Sequence, residues 1–210
     1  MARARRPRLA VDDPTDRRAD HVEAAAWLLT PAYLLGVLVL DATGARIGEL
    51  EAARVGDLDE NRKAWLVRAK IAKTRKARWV ELPEGLFAIV VDRIPAREDR
   101  DLGAPLFPIG NADRLRMAVG RACRDAGVPS WSPHDLRHRR ISLLHHQGVS
   151  WAEIGAGVGQ RNLSVTADRY THVLMDYREL DRGKLLERVR RGQTSGHTPK
   201  LENGSLAGKF

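Results

Sequence analysis

Apolar and polar positions along this chain follow two different periods. Apolar residues recur at three- and four-residue spacing through about Val22 to Leu40, Ile47 to Arg54, Glu84 to Arg93, Asn111 to Ala126, Pro133 to Gln147, Trp151 to Gly157 and Ser164 to Arg190. That spacing gives a helix one apolar face. Between the second and third of these stretches the period changes to two. Val55 to Leu58, Trp65 to Arg68 and Arg78 to Leu82 alternate as half-buried strands do, joined by the polar turns Asp59 to Lys63 and Ala69 to Ala77. The pattern predicts an α+β chain, mainly helical, interrupted by a small three-stranded antiparallel sheet.

Two segments lack either period. Arg97 to Gly110 is rich in Pro, Gly and Asp and reads as a loop, and the Gly, Ser, Thr, Pro and Asn of Gly192 to Phe210 read as a disordered tail. The most apolar stretch, Ala24 to Leu40, is broken by Thr30 and Pro31 and falls short of the roughly 20 residues a membrane span needs. It reads as two buried helices, with no membrane association. At the other extreme, Arg3, Arg5, Arg6 and Arg8 have no apolar run behind them, so the start is a basic flexible arm rather than a secretory signal. The expected organisation is an arm over 1–20, one domain over 21–191 and a tail over 192–210.

Composition narrows the class of partner. With 43% apolar residues in 210 the chain can bury one substantial core, and its formal net charge of +9 favours a polyanion. Each lysine or arginine that neutralises a phosphate releases a counterion. Cys123 is the one cysteine, which excludes a disulfide framework and a cysteine-built metal site and suits a reducing cytoplasm.

Four motifs carry candidate chemistry. In Ser132-Pro133-His134-Asp135 the serine reads as an N-cap, the proline as the first helical residue and the aspartate as the partner that closes a capping box. His134 and Arg137 then share a face near a helix N-terminus, where a phosphate is already favoured, and His138 can orient them. Thr43-Gly44-Ala45-Arg46 places Arg46 in the first turn of the next helix after a glycine turn, with Glu49 spaced to hold its guanidinium. The run Ala72-Lys73-Thr74-Arg75-Lys76-Ala77-Arg78 projects a basic hairpin tip, from which a lysine can enter a DNA groove and protonate a leaving alkoxide. Finally, Tyr170 lies 33 residues after Arg137. A tyrosine nucleophile with two arginines is a phosphoryl-transfer set. Each motif alone also has a plainer reading: a surface helix that is merely basic through Arg139 and Arg140, an exposed Arg–Glu pair, or a charge run protecting a sheet edge.

Taken in order, the motifs resemble the catalytic domain of the tyrosine recombinase (phage integrase) family, whose pattern runs Arg, Lys, His-x-x-Arg, His or Trp, Tyr. Residue by residue the match gives Arg46, Lys73, His134, Arg137, Gln160 and Tyr170. Lys73 is chosen over Lys70, Arg75 and Lys76 because the family's turn is similar to Lys-x-x-x-x-Arg followed by an apolar strand ending in Leu-Pro, as in Lys73 to Pro83. The resemblance spans roughly Val22 to Arg190. Gln160 departs from it: this side chain keeps a hydrogen-bond donor for a phosphate oxygen but carries no proton at neutral pH, which lowers the expected activity.

The resemblance implies site-specific recombination of double-stranded DNA through a 3′-phosphotyrosyl link, with neither metal nor nucleotide cofactor. It further implies a homotetramer on paired DNA sites; without DNA and a second clamp domain, the expectation is a monomer. The segment after Tyr170 would pack on a neighbour through Leu174, Leu185, Leu186 and Val189. Family members are similar to two-domain clamps, and only 45 residues precede Arg46 here. The expectation is therefore the catalytic half alone, as a fragment or an unusually minimal member. The alternative is a non-catalytic DNA-binding regulator, in which Val149 to Gly155 and Asn162 to Tyr170 form a helix-turn-helix and Tyr170 is a phosphate or core contact.

Overall fold

The computed structural model describes residues 18–160 and 178–194. In chain order its elements are α1 (Arg18–Ala26), α2 (Pro31–Thr43), α3 (Ile47–Ala52), β1 (Leu58–Asp59), β2 (Ala64–Val67), β3 (Arg78–Glu81), α4 (Glu84–Val91), α5 (Ala112–Asp125), α6 (Pro133–His146), α7 (Trp151–Val158) and α8 (Arg182–Thr194). The architecture is the mainly helical one that the two periods predict.

Helix α2 is the centre. It is apolar on every side, so it can be stable only when surrounded. Leu34 to Ala42 are all buried, and α6, α8, α3 and α5 pack around it. Pro31 opens it, its fixed φ suited to a first helical position, and Gly44 closes it with φ 64°. One core cluster runs from Ala19 to Val189, and a smaller one, of Ile141, Ile154 and Val158, joins α7 to α6. Among the described residues no helix is long and apolar enough to cross a membrane.

The sheet is antiparallel in the order β1-β2-β3, with Trp65 opposite Val80, Leu66 opposite Trp79 and Val67 opposite Arg78. Trp65 is fully buried, edge-on to Phe107 at 5.2 Å, whereas Trp79 on the other face is 40% exposed. Because side chains alternate along a strand, Arg78 shares the inward side with Val80. This places a charged group against the body of the protein.

Three expectations are corrected. Val55 to Leu58 is not a strand: Val55–Asp57 forms a 3₁₀ turn and only Leu58–Asp59 pairs with β2. The N–H groups of Val55 and Gly56 donate to the carbonyls of Ala104 and Leu102, which holds this stretch against the following loop instead of the sheet. Nor does one helix run from Ser164 to Arg190. Its first part lies outside the described residues, and Arg178 to Asp181 is not helical. There the Asp181 N–H donates to Glu23 at 2.7 Å, while the Asp181 carboxylate accepts from the backbone of Gly183 and Lys184 and so starts α8. Thirdly, α8 continues to Thr194, three residues into the stretch expected as tail.

The plain reading of α6 as a merely basic surface helix fails at Arg139. This residue is 2% exposed and pairs at 2.5 Å with Asp41, which is 0% exposed on α2. The second Asp41 oxygen takes Arg182 at 2.9 Å, and Glu179 binds both Arg182 and Arg140. Arg139 also donates to the Arg178 carbonyl. The apolar face of the last segment is likewise used internally: Leu180, Leu185 and Val189 are buried in the chain's own core and Leu186 packs beside them, rather than being left open for a neighbour. Leu174 lies outside the described residues.

Candidate active site

The start of α6 forms as its sequence dictates. The Ser132 N–H donates to Asp135 Oδ2 at 2.8 Å, closing the capping box before Pro133. His134 emerges exposed on the first turn, its ring edge-on to His138 with centroids 4.3 Å apart. One turn further, Arg137 is 2% exposed. Its Nη1 donates to the carbonyls of Gly44 at 2.6 Å and Val158 at 2.8 Å, and its Nη2 to Gln160 Oε1 at 3.3 Å.

Arg46 is the N-cap of α3 rather than a residue of its first turn, with extended backbone at φ −81°. The reason is Glu49, whose carboxylate accepts the Arg46 N–H at 2.8 Å and so takes the place of the missing helical partner. Glu49 also accepts from Arg46 Nη1 at 3.1 Å, which leaves Nη2 to donate to the Gly159 carbonyl at 3.0 Å. A third arginine completes the arrangement. Arg78 grips both Glu49 oxygens, at 3.0 and 2.7 Å, and donates through Nε to the Gly157 carbonyl at 3.0 Å.

Three successive carbonyls at the end of α7 therefore accept from three different guanidinium groups: Gly157 from Arg78, Val158 from Arg137 and Gly159 from Arg46. A helix C-terminus leaves its last carbonyls without helical partners and carries partial negative charge, so it suits cations. Gly159 has φ 67°, and a Cβ there would lie 2.7 Å from Arg78 Nη1. Glycine is required on both counts. Burial alone would raise the Glu49 carboxyl, but the hydrogen bonds from Arg78 and the Arg46 backbone, with the two positive charges, outweigh it and hold the carboxyl below its ordinary value.

Arg46, Lys73, His134 and Arg137 all line one cleft of about 560 Å³, joined by Glu49, Lys70 and Arg116. The basic hairpin does not simply project into solvent. Ala72 is only 4% exposed, its N–H donating to the Arg68 carbonyl and its own carbonyl accepting from Arg75, which pins the loop and aims exposed Lys73 at the cleft. Gln160 sits on the far side of Arg137, half buried, in a neighbouring cleft of about 760 Å³ with Lys76, Arg78 and Trp151. Tyr170 lies outside the described residues, as do Tyr177 and the second helix of the helix-turn-helix reading. What sequence reasoning missed is the role of Arg78, seen only as the end of a motif, and Arg116, contributed by α5. The inward phase of β3 was the available signal for Arg78.

A profile of the phage integrase family matches residues 23–176, nearly three quarters of the chain and every candidate position from Arg46 to Tyr170. The chain belongs to the phage integrase family. Among curated relatives, the tyrosine recombinase XerC of Corynebacterium glutamicum is 29% identical over 185 residues, covering 82% of this chain and 59% of that protein. XerC of Bifidobacterium longum is 31% identical over 152 residues, 66% of this chain and 42% of its own. This integrase-family chain thus spans about half the length of the curated relatives it matches. The crystal structure of XerA recombinase shares the fold at a TM-score of 0.56 and 20% identity, over 95% of this chain and 68% of XerA. The integrase of mycobacterium phage Brujita does so at 0.54 and 20%, over 90% and 67%.

Proposed function

We propose that this integrase-family chain is a site-specific recombinase that cleaves and rejoins double-stranded DNA through a 3′-phosphotyrosyl intermediate. The observation that carries the reading is the cleft in which two guanidinium groups, both seated on the end of α7, open beside Lys73 and His134. Two fixed cations on one side of a cleft suit the nonbridging oxygens of a phosphodiester, where charge grows as a fifth oxygen approaches phosphorus. Arg116 of α5 lines that cleft, and the exposed Arg114, Arg121 and Arg124 of the same helix add positive charge that favours a polyanion.

In this reading the Tyr170 hydroxyl attacks the scissile phosphorus, forming the P–O bond to tyrosine and breaking the P–O5′ bond. His134 takes the phenolic proton, and Lys73 gives one to the departing O5′. Arg46 and Arg137 stabilise the nonbridging oxygens, with Gln160 assisting from behind Arg137. Rejoining is the reverse: a 5′-hydroxyl displaces the tyrosine and regains the phosphodiester. The phosphotyrosyl bond conserves the energy of the bond that was broken. We place the working assembly as a homotetramer on paired sites, assembled on DNA from monomers.

The test is a denaturing gel of the chain incubated with nicked duplexes that it has itself selected from a random pool. Wild-type protein should yield a covalent protein–DNA adduct. Tyr170→Phe should remove the adduct and keep DNA affinity within about twofold, since only the nucleophilic oxygen is lost. An adduct that persists in Tyr170→Phe moves the nucleophile, with Tyr177 next in line. Absence of any adduct, together with salt-insensitive sequence-specific binding, would make the chain a regulator.

A further inference from the structure

The third arginine at the end of α7 has no part in the reaction just described, yet its contacts govern two groups that do. Arg78 is held on the inward side of β3 opposite Val67, and its side chain is 11% exposed. Its two terminal nitrogens take both oxygens of Glu49, while its Nε takes the Gly157 carbonyl. Glu49 in turn fixes Arg46 twice, through the backbone N–H and through Nη1. The same guanidinium also lies where a side chain at residue 159 would begin, so it abuts the turn that leads to Gln160.

We infer that Arg78 is a positioning residue for phosphate activation, acting through Glu49 on Arg46 and through Gly157 on the end of α7. The inference rests on the recombinase reading above. A planar fork matched to a carboxylate fixes the carboxylate in orientation as well as in position, which a single ammonium does not do. With Glu49 so held, the Arg46 guanidinium has one orientation that satisfies both Glu49 and the Gly159 carbonyl, and it presents that orientation to the cleft before substrate arrives. Remove Arg78 and Glu49 keeps its bonds to Arg46 but loses the two that tie it to the sheet. Arg46 then follows a carboxylate free to turn.

The test measures single-turnover adduct formation on a nicked duplex at saturating DNA. Arg78→Met should slow it by on the order of ten- to a thousandfold, comparable with loss of one oxyanion donor. Arg78→Lys should recover part of that loss. Because Glu49 loses its principal compensating donor, the acid limb of the pH–rate profile should move to higher pH in Arg78→Met. The decisive measurement is the double substitution. In a Glu49→Gln background, Arg78→Met should cost less than about threefold more, because the path it acts through is already broken. Equal losses in both backgrounds, an unmoved acid limb, or cleavage by Arg78→Met at the wild-type rate would each overturn the inference. Should Arg78→Met fail to fold, Arg78→Lys replaces it in the same cycle. An adduct from the wild-type chain with no effect of Arg78 refutes this inference alone, whereas no wild-type adduct refutes the recombinase reading as well.

Discussion

Glu49 is 3% exposed and accepts four hydrogen bonds, two from Arg46 and two from Arg78. Its carboxyl is held below the ordinary 4.5, although burial pulls the other way. The consequence for stability has a definite sign. A group whose folded pKa is depressed contributes fully above its unfolded value and loses that contribution as pH falls through the folded value. Urea unfolding midpoints should therefore fall as pH drops below about 4.5, and Glu49→Gln should flatten the curve in that window. Equal pH dependence in the two proteins would remove Glu49 from the account. The residues of this site were unequally legible. Arg46, His134 and Arg137 sit beside local signals, a glycine turn and a Ser-Pro-x-Asp cap, that can be read from neighbours in the chain. Arg78 acts on Glu49 and on Gly157, which are 29 and 79 positions away, so its partners exist only once the strands have found their register.

At the scale of elements, α6 carries two unlike arginines two residues apart. Arg137 turns to the end of α7, and Arg139 turns inward to Asp41 on α2. A buried charge left without its partner is costly, more so than a pair replaced by apolar groups of similar size. Asp41→Ala should thus lower unfolding free energy by about 3–5 kcal/mol, while Asp41→Leu combined with Arg139→Met should cost far less. Chemical denaturation measures both, and a mild effect of Asp41→Ala would show that Arg139 finds a replacement acceptor. Element boundaries were legible where chemistry within a few residues sets them, as at Pro31, Gly44 and Ser132. They were not where the deciding contact is remote. Val55 to Leu58 alternates as a strand would, but Ala104 and Leu102 claim its N–H groups. The break before α8 depends on Glu23, 158 positions from Asp181.

For the whole molecule, the balance of 36 basic against 27 acidic residues has a thermodynamic signature. If six to ten phosphates are neutralised on DNA, affinity should fall by on the order of 10³- to 10⁵-fold between about 50 and 200 mM salt. Fluorescence anisotropy across that range decides it, and a flat response would argue that contacts other than phosphate dominate. The overall helical class and the small sheet were legible from periodicity alone. How the last helix is used was not, because an apolar face on Leu185 and Val189 reads the same whether a neighbouring molecule or the chain's own α2 covers it. One feature of the site also bears on how the sequence can change over generations. At the end of α7 the atoms that accept from the three arginines are main-chain oxygens, which every amino acid possesses. At Gly157, where a Cβ would meet nothing within 4 Å, the identity of the residue is therefore open to drift even though its carbonyl is in use. Two positions later, where the backbone turns left-handed, it is closed.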